Sequence, residues 1–307
     1  KTKGSWISLY YNVSGKEILM EDGKAIGVYG ESKNGDTYTL KANRGVILAT
    51  GGFGSNQDMV KQYNPELVGY KSTDSVADTG DGITMAIEAG AELVGMEYIQ
   101  TYPMCDVVSG GLLYVDDARL YGYSIMVNKE GDRFVNELGR RDVLSQAILA
   151  QTGGVCYEVM DNDGWEKASI VQNHGGEVEY LTANKKLVKA DTLDVAADFF
   201  GIDKEELAKT IATYNGYVDA GKDDDFDRLS MNMKIENGPF YIVEATPAIH
   251  HTMGGVKINT NGNVIPNLYA AGEVTGGIHG SNRLGSCAIA DITVFGRIAG
   301  ANAANNK

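Results

Sequence analysis

Cysteine, proline and histidine are scarce in this chain of 307 residues, and positive charge is in short supply. Cys105, Cys156 and Cys287 are too few and too scattered for a disulfide framework or a zinc site, and no C-x-x-C-H haem signature is present. Only 5 prolines stand against 39 glycines, which argues for many tight turns and close backbone approaches, not a flexible linker. No apolar run approaches the roughly 20 residues that a bilayer crossing needs; Val46-Ile47-Leu48-Ala49 is among the longest. Lys and Arg number 27 against 41 Asp and Glu, for a net charge of −14. Phosphate backbones and anionic lipid would repel so acidic a surface, which argues against nucleic acid as a partner. The first residues show no charged segment leading into an apolar stretch, so no signal peptide is read there. What remains is ordinary globular composition, 43% hydrophobic and 22% charged, in a chain long enough for about two domains.

Local patterns set out an α/β chain. Residues 6–13, from Trp6 to Val13, read as a strand, Glu21 to Lys24 as a turn and Ala25 to Gly30 as a second strand. Asn34-Gly35 predicts a further hairpin with positive φ at both turn positions. Residues 44–52 read as a strand covered on both faces that ends in a glycine turn. Helices are expected from Asn56 to Tyr63, from Asp81 to Ala91, and over 136–151, with strands and polar turns across 93–128. Residues 160–235 are more charged, with helices near 192–200 and 203–219. Strands return at 239–246 and 254–269, and a glycine-rich segment from Gly272 leads into a C-terminal helix that begins near Ser286.

The densest chemistry lies in His250-His251-Thr252-Met253-Gly254-Gly255 and in the segment from Ala271 to Ala288, which holds Glu273, His279, Asn282, Arg283, Gly285 and Ser286. Glycines let backbone approach a flat or phosphorylated ligand closely, and a helix start near Ser286 directs free N–H groups at an acceptor atom. Arginine beside histidines suits a carboxylate, to which guanidinium offers a bidentate fork.

These segments resemble the C-terminal signature of the soluble fumarate reductase flavoproteins, within the succinate dehydrogenase/fumarate reductase flavoprotein family. The resemblance extends over 49–56, 79–82 and 127–142, in family order along nearly the whole chain. It implies a partial FAD-binding domain of Rossmann-like, glutathione-reductase type at 1–95 and 240–307, with a substrate or capping domain inserted at 96–239. It also implies FAD-dependent reduction of an alkene conjugated to a carboxylate, with hydride from the flavin N5 and a proton from an arginine, here Arg141. Arginine is a weak acid, with a pKa above about 12, so a relay must recharge it; the resemblance offers Asp116 and Arg119. His250 and Arg283 would grip the substrate carboxylate. Thr50, Gly51, Gly52, His251, Glu273, Gly285, Ser286 and Ile289 would contact FAD. No metal is implied.

Two departures from the family pattern are informative. Where fumarate reductases carry histidine in an Ala-His-Pro-Thr segment, this chain has Thr101-Tyr102-Pro103-Met104, and the family's Thr-Glu becomes Val115-Asp116-Asp117. An aspartate pair repels a second carboxylate and attracts a hydrogen-bond donor. That substitution resembles the urocanate-reducing branch, in which tyrosine and aspartate receive an imidazole; Tyr102 and Asp117 are assigned that task, with Asp116 the alternative. The second departure is the lack of a G-x-G-x-x-G unit, which implies a preceding FAD-binding half outside this sequence and weak FAD binding without it. The expected partners are a carboxylate substrate and an electron donor protein or domain bearing FMN or haem. Relatives of this kind are often exported, which suggests a bacterial periplasmic or cell-surface location. The alternatives are reduction of fumarate or another enoate, and a non-catalytic carboxylate sensor.

Other features are read as ordinary. Asp161-Asn162-Asp163-Gly164 is a turn and not a calcium loop, 222–227 a solvated acidic loop, and His174 a surface loop histidine. Asn12-Val13-Ser14 is a chance sequon. Ser286, His279 and Asp291 form no hydrolase triad, because no nucleophile elbow surrounds the serine.

Overall fold

The computed structural model describes residues 7–306. In chain order the first elements are β1 (Val13–Glu21), β2 (Lys24–Ser32), β3 (Thr37–Lys41), β4 (Val46–Leu48), α1 (Gln57–Tyr63), α2 (Asp81–Glu88), β5 (Leu93–Val94) and β6 (Ile99–Cys105). There follow α3 (Asp117–Leu120), β7 (Ile125–Val127), α4 (Arg141–Leu149), β8 (Cys156–Met160), α5 (Asn162–Lys167), α6 (Ile170–Ala183), β9 (Leu187–Ala190), α7 (Leu193–Phe200) and α8 (Lys204–Ala220). The chain closes with β10 (Phe240–Thr252), β11 (Gly255–Lys257), β12 (Asn263–Ile265), β13 (Leu268–Ala270), β14 (Thr275–Gly276) and α9 (Cys287–Asn305). The architecture is mixed α/β with several sheets. Among the described residues, one compact unit comprises 7–69, 74–100 and 251–306, and a second comprises 70–73 and 101–250. The chain changes unit inside β6 and again inside β10, between His250 and His251.

The first unit holds three small sheets, ordered β1-β2-β3, β14-β11-β5 and β12-β13-β4. The β1–β2 turn is made by Asp22 and Gly23, whose φ values of 48° and 73° suit a two-residue hairpin loop. At the next hairpin only Gly35 has positive φ. The expected two-residue turn is instead a longer loop, in which the Ser32 N–H donates to the Asp36 carbonyl. The first strand begins at Val13, after Asn12 with φ 58°; Trp6 lies outside the described residues. β4 pairs in parallel with β13, yet Ile47 is exposed, so the strand is covered on one face and not both. Asn56 caps α1 by accepting from the N–H groups of Asp58 and Met59. α2 stops at Glu88, short of Ala91, where Gly90 takes φ 90°. Phe53, Ile83, Val256, Leu268 and Ala270 are fully buried in this unit's core.

The second unit is a β6-β10-β8-β7 sheet with β9 added on β10. All five residues of β8 are buried, because helices cover both faces. Side chains alternate along a strand. Ile125, Val127, Tyr157, Val159 and Ile242 therefore pack with Leu207, Ile211 and Tyr214 of α8. Met126, Cys156, Met160 and Val243 pack with Leu144, Ile148, Trp165 and Leu181 on the opposite side. Trp165 stacks on Tyr241 with ring centres 4.0 Å apart and planes inclined by 3°.

Several segments correct the sequence reading. Residues 136–140 precede the helix expected there, which starts at Arg141. α3, α5 and α6 were not foreseen. Asp161 caps α5 by accepting from the Gly164 N–H. Asp223 is buried and ion-paired with Arg133 at 2.8 Å, so the acidic loop is anchored at that residue, while Asp224, Asp225 and Asp227 are exposed. His174 sits within α6, where it stacks on Tyr114 at 5.5 Å and 16°.

Candidate active site

The second unit holds six of the expected residues and brings five of them together. Tyr102 enters from β6, 8% exposed, and its hydroxyl donates to Oδ2 of Asp116 at 3.1 Å. Asp116 receives Arg119 through two oxygens, at 2.5 Å from Nε and 2.6 Å from Nη2, while Nη1 of Arg119 donates to the Glu137 carbonyl. Such a bidentate fork fixes both partners. Arg141, the first residue of α4, places its guanidinium carbon 4.7 Å over the Tyr102 ring. Cations favour the negative face of an aromatic ring. His250, near the end of β10, has its ring 5.2 Å from that of Tyr102 and its Nδ1 2.8 Å from Oγ1 of Thr73.

Burial governs the charges here. It pushes the Tyr102 phenol well above its ordinary value, with the Asp116 charge adding to the shift, so the hydroxyl stays neutral and can donate. Burial also pushes the Asp116 carboxyl up, and the Arg119 guanidinium opposes it. Arg119 is raised: burial disfavours its charge, but the Asp116 carboxylate more than offsets that. Asp117 faces elsewhere. Its Oδ2 lies 3.4 Å from Nε2 of His174, close enough for an ion pair but misaligned for a hydrogen bond. The structure thus joins Tyr102 to Asp116 and gives Asp117 to His174.

In the first unit, Glu273 is the centre. Its Oε1 accepts from the Thr252 N–H at 2.7 Å and the Thr252 hydroxyl at 3.0 Å, and its Oε2 lies 3.5 Å from Nδ1 of His251. Burial, then the charge of Asp74, pushes the Glu273 carboxyl up to about 8. A Cβ at Gly52 would collide with the Thr252 hydroxyl and Glu273, so only glycine fits beside them. Gly51 has φ 78°, which also favours glycine. Thr50 is exposed. The His251 ring meets that of His279 edge-on at 5.4 Å, and Nε2 of His279 lies 3.2 Å from Oδ2 of Asp291. Arg283 is 8% exposed and its carbonyl accepts from the Gln100 amide at 2.7 Å. Gly285 is exposed, and Ser286, with φ 65°, begins α9 without a side-chain cap, the N–H groups of Cys287 and Ile289 donating to the carbonyls of Leu284 and Ser286. Leu284 and Ile289 beside it are 78% and 64% exposed, an apolar flank for a flat ring.

Sequence reasoning missed a buried polar network in the second unit. Arg228 pairs with Glu137 at 3.3 Å, Arg133 with Glu137 and Asp223 at 2.8 Å, and Ser124 donates to Glu158 at 2.6 Å. The one available signal was Glu158 itself, a lone acid in the otherwise uncharged stretch from Val155 to Met160.

Residues 1–289 match the family described as FAD binding domain, and the chain belongs to it. It is 46% identical over 303 residues to the urocanate reductase of Eggerthella lenta, a match that covers 95% of this chain and 50% of that protein. It is 43% identical over 306 residues to a fumarate reductase (cytochrome) of Shewanella frigidimarina, covering 97% of this chain and 52% of the relative. The NADH:acrylate oxidoreductase of Vibrio harveyi is 42% identical over 300 residues, covering 94% of this chain and 30% of that protein. Among solved structures, the open conformation of a flavocytochrome c3 fumarate reductase superposes with a TM-score of 0.78 at 41% identity, covering 95% of this chain and 51% of that one. The chain spans about half the length of the first of these relatives. FAD is the cofactor of this family. The residues present fit it: the raised Glu273 carboxyl can hold a proton for a hydroxyl, Gly52 leaves no side chain in the way, and Leu284 and Ile289 offer apolar surface. No helix among the described residues is long and apolar enough to cross a membrane.

Proposed function

We propose that this chain belongs to a flavin-dependent reductase of the carbon–carbon double bond of an enoic acid, and that urocanate is preferred over fumarate. The first unit serves as the FAD-binding part and the second as the substrate-capping part. Thr50, Gly51, Gly52, His251, Glu273, Gly285, Ser286 and Ile289 would hold FAD, which when bound supplies hydride. Arg141 delivers the proton to the other alkene carbon. A guanidinium can do so because the carbanion it meets is strongly basic and because Asp116 and Arg119 stand behind Tyr102 to restore the proton. His250, fixed by Thr73, contacts the substrate carboxylate. The carboxylate role of Arg283, in the first unit, rests on the sequence resemblance.

The observation that carries the urocanate preference is the Tyr102–Asp116 bond beneath Arg141. A buried tyrosine tied to a carboxylate suits an imidazole, which offers a flat face and an N–H. A second carboxylate there would meet in Asp116 another acceptor and find no donor on it. Asp117, turned toward His174, leaves the acid's part in this pocket to Asp116. The names of the urocanate and fumarate reductase relatives support the reaction class, and the name fumarate reductase (cytochrome) supports a haem-bearing electron donor over an FMN-bearing one.

The test is reduction of urocanate and of fumarate by the full-length protein, with reduced viologen as donor. Faster turnover of urocanate is expected. Equal or faster fumarate turnover overturns the preference, and inactivity toward both overturns the reaction class.

A further inference from the structure

Glu158 is the buried acid that the proposed chemistry leaves unused. It sits at the middle of β8, paired in register with Met126 of β7 and Val243 of β10, on the same face as Cys156 and Met160. It is fully buried. One carboxyl oxygen accepts from the Ser124 hydroxyl at 2.6 Å, and the other has no hydrogen-bond partner among the described residues.

Charge matching shows what this carboxyl must be. Arg119 is matched by Asp116, Arg228 by Glu137 and Arg133 by Asp223. Glu158 forms no ion pair with any described residue and is the surplus acid of the cluster. An ionised carboxylate with neither a cation of its own nor a full set of donors is costly inside a protein, so the group keeps its proton. The shift agrees: burial first, then the charge of Asp116, pushes Glu158 up to about 8, against the opposing pull of Ser124 and Arg119. Other groups face it too. Cys156, on the same strand, has its thiol pushed up chiefly by burial and also by the Glu158 charge. Glu137, Arg133 and Arg228 lie in the same network and remain paired among themselves.

We propose that Glu158 is the inner proton store of the site, passing through Asp116 the proton that recharges Arg141. This rests on the reductase reading given above. The balance is simple. Arg141 loses one proton to the substrate. The Glu158 carboxyl breaks its O–H bond, the Asp116 carboxylate takes that proton and hands it on to Arg141, and Asp116 is again the carboxylate that matches Arg119. Glu158 stays ionised until a solvent proton returns by the same groups. Arg119 flanks Asp116 throughout and limits the charge that builds between the two acids. Glu158 acts through Asp116 and touches neither substrate nor cofactor, so it is a positioning and proton-holding residue.

Glu158→Gln in the full-length protein tests this, because the amide keeps the shape and an acceptor for Ser124 but cannot release a carboxyl proton. The expected result is a fall in kcat of roughly tenfold or more at little change in KM, smaller than the roughly 100-fold or more of a group that exchanges a proton with the substrate itself, because Glu158 acts through Asp116. A larger solvent deuterium isotope effect and loss of the wild-type alkaline limb should accompany it. Glu158→Asp, which keeps a carboxyl, should recover part of the rate. Infrared titration of the wild type gives a readout apart from turnover: a buried carboxylic-acid carbonyl band, absent in Glu158→Gln, should persist at neutral pH and fade as pH rises through about 8. An active wild type whose Glu158→Gln variant matches it in kcat and pH profile overturns this inference alone, and so does a Glu158 already ionised at neutral pH. A wild type inert to every enoic acid overturns the reductase reading and this inference with it.

Discussion

The guanidinium of Arg141 and the ring of Tyr102 stand face to face at 4.7 Å, and the hydroxyl on the far edge of that ring is tied to Asp116. The tyrosine thus lies between the proposed proton donor and the acid proposed to recharge it.

Arg141→Lys should abolish most turnover while substrate affinity survives. Lysine keeps the charge but loses the planar fork. A loss in kcat of about 100-fold or more with KM nearly unchanged is expected, as for a group acting in the transition state. Steady-state kinetics on full-length protein decide it; a rise in KM alone would reassign Arg141 to ground-state binding.

Tyr102→Phe should weaken urocanate more than fumarate. The ring under Arg141 remains, while Asp116 loses a donor at a net cost of about 1 kcal/mol, or several-fold in KM. Because burial keeps the phenol neutral, the effect should not vary with pH across the working range. Equal changes for both acids would separate the hydroxyl from substrate choice.

Glu177→Ala should destabilise the second unit by about 1–3 kcal/mol, the worth of backbone hydrogen bonds to a charged acceptor. Glu177 accepts from the N–H groups of Tyr114 at 3.0 Å and Val115 at 2.8 Å, and so straps the segment that leads into Asp116. Urea unfolding gives the magnitude, and a drop in kcat at saturating substrate would report the slackened relay.

Stability of the flavin-free protein should fall as pH rises from the ordinary carboxylate range toward about 8, through Glu273. The folded value lies above the unfolded one. At low pH both states hold the proton and stability is full; as pH rises the unfolded chain releases it first, and the folded state loses its advantage. Glu273→Gln should remove part of that slope, the remainder belonging to Glu158, which burial raises over the same range. Urea midpoints across the range are the measurement, and an unchanged slope would remove Glu273 as its source.

The parts of the molecule legible in sequence were those with local physical signatures. Asn56 before α1, Asp203 before α8 and Gly201 after α7 mark their helix ends by capping chemistry that needs no tertiary partner. Tyr102, Asp116, Arg119, Arg141 and His250 could be named from motifs, but which aspartate meets the tyrosine could not. Asp116 and Asp117 are adjacent, and only the turn into α3 sends one to Tyr102 and the other to His174. The network of Arg133, Glu137, Asp223 and Arg228 joins residues up to 91 positions apart, from Glu137 to Arg228, and no period or spacing encodes it. α6 was hidden because Gly175 and Gly176 interrupt its helical pattern and His174 kinks it.

Two neighbouring imidazoles, His250 and His251, belong to different compact units although they are consecutive along one extended strand. Alternation sends them to opposite sides, one toward Tyr102 and the other toward Glu273. A single inserted or deleted residue in β10 would swap those assignments at once. This stretch should therefore accept exchanges of residue identity far more readily than any change in its length.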